Sequence, residues 1–166
     1  MLEQSAGVAP RTGWDPPLHR VLVAFDGSPG SWAALRYGIS VARSRNAVLT
    51  IAGVVDDPPV WIGLPPFAVP WTRESLRRDS ESRLARALGA ARDEVPADMS
   101  VSTAVLHGRT AHALADLADG GRYDLVVTGP SRSRHRLRRG VTSALLSRCE
   151  ASVLAVNPAN DLRTTP

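Results

Sequence analysis

The chain contains no lysine: all 20 of its basic residues are arginine. That absence excludes a Walker-type phosphate loop, which needs its lysine, and any chemistry that begins with a lysine imine. Cys149 is the only cysteine, so the chain forms no internal disulfide and no multi-cysteine metal site. No apolar run is long enough to span a bilayer. The first residues, with Glu3 and no apolar stretch before Pro10, do not read as a signal peptide. The expectation is a cytoplasmic protein in a reducing compartment. Aromatic residues make up only 5% of the chain, which leaves few rings to build a base-stacking platform.

What is present is ordinary for one folded domain: 166 residues, 43% apolar and 22% charged. The charge is unevenly placed. Arginines 132, 134, 136, 138 and 139 fall within eight residues, and without these five of the 20, fifteen bases face 16 acids. The net charge of +4 is therefore a property of one loop rather than of the whole surface. No acid lies between Asp124 and Glu150 to relieve the repulsion. A phosphate would supply the missing counter-charge, and a solvated loop is the plain alternative. Nucleic acid is disfavoured, because a basic stretch alone gives salt-sensitive, nonspecific affinity and no aromatic interleaves these arginines.

Residues 1–18, with Pro10, Pro16 and Pro17, read as a flexible extension, 19–158 as the domain, and 159–166 as a tail. The continuous apolar run Val21 to Phe25 stops at Asp26-Gly27, the mark of a central strand buried on both faces. Ser28 reads as a helix N-cap with Pro29 at the first position, and Trp32, Leu35, Ile39 and Ala42 follow at helical spacing. A second strand runs over Ala47 to Val55. Residues 56–71, with five prolines, Trp61 and Trp71, suit a loop that packs on the domain or covers a ligand. Thr72 to Glu94 reads as a long surface helix carrying Leu76, Leu84, Leu88 and Ala91 on one side and stopped by Pro96. Met99 to Leu106 alternates like a strand. Thr110 caps a short helix that ends at Gly120-Gly121. Asp124 to Gly129 is a fourth strand, Thr142 to Arg148 a fourth helix, and Val153 to Val156 a fifth strand. Strict β-α alternation predicts an α/β fold: a Rossmann-like, doubly wound parallel sheet of five strands with helices on both faces. In such sheets ligands bind beyond the strand ends where the strand order reverses, here where the loops after Asp26 and Gly129 converge.

These residues resemble the universal stress proteins. Val21 to Ser28 looks like the family's first strand and acidic turn, Leu106-His107-Gly108 like its third strand and turn, and Asp124 to Gly129 and Val153 to Val156 like its last two strands. The resemblance covers about residues 19 to 158. It implies a role in stress response, a homodimer joined through the Val153–Val156 strand, and in one subgroup a site for ATP or another adenine nucleotide. The nucleotide contacts it implies are Ala24, Phe25, Asp26 and Val54 at the first two strand ends. Around the phosphates they are Thr128, Gly129, Ser131 and Arg132, then Gly140, Val141, Thr142 and Ser143. The subgroup's loop has the form Gly-x-x-Gly, nine residues, Gly-Ser/Thr. Gly129 matches its first glycine, but Arg132 replaces the second and the loop is two residues short. A glycine there permits positive φ and close approach of the backbone to phosphate oxygens, which Arg132 does not. Whether Mg²⁺ accompanies the nucleotide stays open.

The residues also support plainer roles. Asp26 suits a cap on the helix that follows it as well as a ligand contact. His107 and His112 read as turn and helix residues and His135 as exposed, with no paired-histidine metal spacing. Cys149, beside Leu145 and Leu146, reads as a buried helix residue rather than a reactive thiol. No Ser-His-acid or paired-carboxylate arrangement stands out, so a binding module is expected rather than a dedicated enzyme, with slow nucleotide hydrolysis as a third possibility. The alternative to a nucleotide module is a degenerate member that acts as a dimeric interaction protein.

Overall fold

In the computed structural model the described residues are 17–56, 69–130 and 140–157, with 69–73 described as backbone only. The proline-rich stretch 57–68 with Trp61, and residues 131–139 with Ser131, Arg132 and His135, lie outside them, as do most of the N-terminal extension and the tail.

β1 (Arg20–Ala24) leads to α1 (Pro29–Arg45), β2 (Val48–Val55), α2 (Val69–Asp93) and β3 (Val101–His107). The chain then forms α3 (Thr110–Gly120), β4 (Leu125–Thr128), α4 (Val141–Leu146) and β5 (Ser152–Ala155). All four strand pairings are parallel and the sheet order is β3-β2-β1-β4-β5. This is the expected α/β Rossmann-like fold.

Alternation along the strands builds two cores. Val21 and Val23 of β1 and Phe25 just after it point to one side with Leu49, Ile51, Leu35 of α1 and Leu84 and Leu88 of α2. Leu22 points to the other, with Ala52, Val126, Leu114 of α3 and Leu145 of α4. Val21, Leu22 and Val23 are all fully buried, which is why β1 reads as a continuous apolar run. The second layer also takes in a polar chain: the Tyr123 hydroxyl donates to Thr50 Oγ1 at 2.9 Å, and Thr50 meets Ser102 Oγ at 2.9 Å on β3. At the opposite end of the sheet from the strand tips, Asp124 Oδ2 accepts from the backbone N–H groups of His19 and Arg20 at 2.7 and 2.8 Å. Asp124 is thus a tie between β4 and β1, and β4 is one residue shorter at each end than the expected Asp124 to Gly129.

Several boundaries differ from expectation. Trp71, assigned to the proline-rich loop, lies in α2, because Pro70 sits in that helix's first turn where a missing N–H costs no hydrogen bond. Thr110 is the first residue of α3 and not its cap: Gly108, at φ 105°, turns the chain so that Arg109 takes the cap position. His107 closes β3 rather than forming the turn, with its Nε2 3.9 Å from Glu81 Oε1. Cys149 lies beyond α4, half-buried against the second core. Its burial, and then the nearby Asp119 carboxylate, push the thiol up and away from the reactive thiolate form.

The glycine pair at the end of α3 divides its work in an unexpected way. A Cβ on Gly121 would overlap the Tyr123 ring, so that residue is glycine for space. The left-handed residue is Arg122, at φ 50°. Asn46, at φ 53°, closes α1 in the same conformation, which an asparagine tolerates better than an arginine. Replacing Arg122 with glycine therefore removes local strain: thermal unfolding of Arg122→Gly is expected to show a gain of about 0.5–1 kcal/mol, and Arg122→Val a loss.

Candidate functional site

The sheet order reverses between β1 and β4, and the loops leaving these two strands diverge in opposite directions. Between them lies an open cavity of about 190 Å³. Ala24, Phe25 and Asp26 line it from the end of β1, Val54 from β2, and Thr128 and Gly129 from β4. Val141, at the start of α4, forms a further wall. These seven are residues singled out in the sequence, and the structure brings them together. The other three of that set that are described do not line the cavity. Gly140 is the N-cap of α4, Thr142 stands behind the wall, and Ser143 is exposed.

The cavity also takes residues that sequence reasoning missed as ligand contacts: Ser28, Ser31, Ala52, Thr110, Leu114 and Pro130. Periodicity held the signal for two of them. Ala52 lies two residues before Val54 on a strand, and Leu114 one helical turn after Thr110, so each shares its neighbour's face. For Ser31 and Pro130 the local pattern holds no such signal. Phe25 sends its ring into the first core, edge-on to Trp32 with ring centroids 5.0 Å apart.

Among the described residues Asp26 is the only ionisable one lining the cavity. Burial pushes its carboxyl up, but hydrogen bonds from the Ser28 hydroxyl and N–H, from the Ser31 hydroxyl and from its own backbone outweigh this and hold it below the usual 3.8. The Ser28 N–H donates to Asp26 Oδ1 at 2.9 Å. Ser28 also caps α1, accepting from the Ser31 N–H at 3.2 Å, while the Ser31 hydroxyl donates to the Ser28 carbonyl at 2.9 Å. The start of α1 is thus satisfied from within. α3 has no side-chain cap, and Thr110 in its first turn borders the cavity, so the positive end of that helix dipole lies at the wall. An apolar floor of Ala24, Ala52, Val54 and Leu114, with one carboxylate at the rim, suits a flat apolar group that carries hydrogen-bond donors. Among the described residues no group of three His, Cys, Asp or Glu is placed to hold a metal ion.

Gly129 has a different reason to be glycine from the one its motif suggests. Its φ is not positive. A Cβ there would overlap the carbonyl group of Gly30 and sit 2.8 Å from the Ser31 nitrogen, while a Cβ on Gly30 would sit 2.7 Å from Pro130 Cδ. The two glycines let the exit of β4 cross the first turn of α1 backbone against backbone.

A model of the universal stress protein family matches residues 17–157. Among solved structures, the universal stress protein UspA from Lactobacillus plantarum is 23% identical with a TM-score of 0.72, covering 86% of this chain and 99% of that one. A universal stress protein in complex with cAMP is 25% identical with a TM-score of 0.56, covering 86% and 99%. A universal stress protein family protein from Arabidopsis thaliana with AMP bound is 16% identical with a TM-score of 0.56, covering 84% and 91%. No curated protein sequence matches the chain at a significant level.

The crossing of β4 over α1 makes Gly129 a structural residue before it is a ligand contact. Gly129→Ala is expected to lower stability by about 1–3 kcal/mol in urea unfolding, through overpacking against immovable backbone. Gly89→Ala, in α2 where a Cβ meets nothing within 4 Å, should instead gain about 0.5–1 kcal/mol from helix propensity.

Proposed function

Since the chain belongs to the universal stress protein family, we propose that it is an adenine-nucleotide-binding module that acts in a stress response as a homodimer rather than as a dedicated enzyme. The observation that carries the reading is the cavity at the switch point, where an apolar floor of small side chains meets the ionised Asp26. The floor accepts the face of a purine or a ribose, and Asp26 accepts hydrogen bonds from hydroxyl or amino groups. The cAMP and AMP complexes of other universal stress proteins support the same ligand class. ATP belongs to the same ligand class, and the arginine-rich sequence between Pro130 and Gly140 carries charge of the sign its phosphates need. Among the described residues Asp26 is the only carboxylate at the cavity, so a Mg²⁺ there would arrive on the phosphates rather than in a cage of these residues.

The dimer reading rests on β5, an edge strand of the sheet, and on α4 beside it, whose Leu146 is 64% exposed. A lone half-buried cysteine with a raised thiol fits the cytoplasm, and no helix among the described residues is long and apolar enough to cross a membrane. A second reading, an interaction protein that binds no nucleotide, is favoured by one observation: Gly129 is already required by its contact with Gly30, so its presence alone does not argue for phosphate.

Calorimetric titration with adenosine, AMP, cAMP, ADP and ATP separates the two. The module reading expects measurable heat with at least one of them; no heat and no thermal shift with any at millimolar concentration sinks it. Asp26→Asn should weaken binding by roughly tenfold, the worth of a hydrogen bond to a charged group. Because the Asp26 carboxyl lies below its usual value, it is ionised throughout the neutral range. Affinity should be flat above about pH 5 and fall only below about pH 4, as the carboxylate is protonated. Sedimentation at twice the chain mass checks the dimer.

A further inference from the structure

The loop between β4 and α4 leaves at Gly129 and returns at Gly140, and a hydroxyl pair joins its two ends. Thr128 Oγ1 lies 2.8 Å from Thr142 Oγ1. Thr128 is 3% exposed, and its hydroxyl also donates to the Gly129 carbonyl at 3.3 Å. Either hydroxyl can supply the proton of this short bond, and in both cases Thr142 Oγ1 is engaged by β4.

α4 needs this bond. It has six residues and no side-chain cap, too few turns to hold its own position. Leu145, fully buried in the second core, fixes its far end. Thr142 fixes its near end to β4. Val141, next to Thr142, is the part of α4 that lines the cavity. The Thr128–Thr142 bond therefore ties the end of α4 that carries Val141 to β4, beside Val141's own packing on the second core.

We propose that Thr142 is a positioning residue of the nucleotide site and not a phosphate contact: through Thr128 it holds the Val141 wall against the part of the ligand nearest the sheet. The proposal rests on the adenine-nucleotide reading of the cavity. Its consequence is that Thr142 acts equally on ligands with and without phosphate.

The test compares adenosine with AMP, by calorimetry on the full chain, for wild type, Thr142→Val, Thr142→Ser and Thr128→Val. Valine keeps the shape and deletes the hydroxyl; serine keeps the hydroxyl. Thr142→Val is expected to weaken adenosine and AMP by the same factor, roughly three- to tenfold, while Thr142→Ser stays within about twofold of wild type. Thr128→Val removes the same bond from the other side, and the double valine variant should bind no more weakly than Thr128→Val alone. Loss of AMP affinity with adenosine unchanged would assign Thr142 to the phosphate and overturn the proposal, as would additive losses in the double variant or no loss in Thr142→Val. If the wild type binds neither adenosine nor any adenine nucleotide, the ligand reading itself fails and the proposal fails with it.

Discussion

The backbone crossing at Gly129 and Gly30 is the contact on which the rest of the ligand end of this molecule depends. Two parallel strands that lie side by side but send their chains to opposite halves of the sheet leave a gap at their tips. Here the gap is narrow at one point, because the exit of β4 passes directly over the first turn of α1 with no side chain between them. The contact fixes where Thr128 ends its strand, and Thr128 in turn fixes Thr142 and the start of α4. It also places Asp26, Ser28 and Ser31 at the cavity rim, since all three belong to the turn that α1 grows from. Interiors packed at this density transmit such a constraint because there is no slack to absorb it.

The same turn settles the electrostatics. α1 begins with its own serine cap, and Asp26 is held ionised by donors from that cap. The helix start that would receive an anion in many doubly wound proteins thus has its own side-chain cap, and the described residues of the cavity beside it contribute a carboxylate. The starts of α3 and α4, both on the other sheet face, carry no side-chain cap. A ligand reading this surface meets an acceptor at one rim and a helix dipole at another wall, with apolar ground between. That polarity is the one the proposed heterocyclic ligand requires.

Parts of this were open to sequence reasoning for a definite reason. β1 and β4 are buried on both faces, so their side chains face one solvent, the protein interior, and appear as unbroken apolar runs. α1 announces its start through Ser28-Pro29 because capping is a local hydrogen bond between residues three apart. Strict alternation of such elements leaves a parallel sheet as the solution, and the switch-point rule then names the ends of β1 and β4. Other elements were less legible. Thr110 looked like a cap because caps are read from residue type, whereas the turn at Gly108 had already moved the cap to Arg109.

The residues of the chain by themselves determined the order of elements, the alternating cores and the end of the sheet where a cavity opens, since each follows from local periodicity and chain connectivity. What each glycine and hydroxyl does was decided only by the tertiary structure. Gly129 read as a phosphate-loop glycine and also packs against the backbone of Gly30; Gly121 read as a helix stop and makes room for Tyr123; Thr142 read as a nucleotide contact and also bonds to Thr128. Each of these roles is set by a partner distant along the chain or by a ring packed over the backbone, and no local pattern encodes which atom will arrive there.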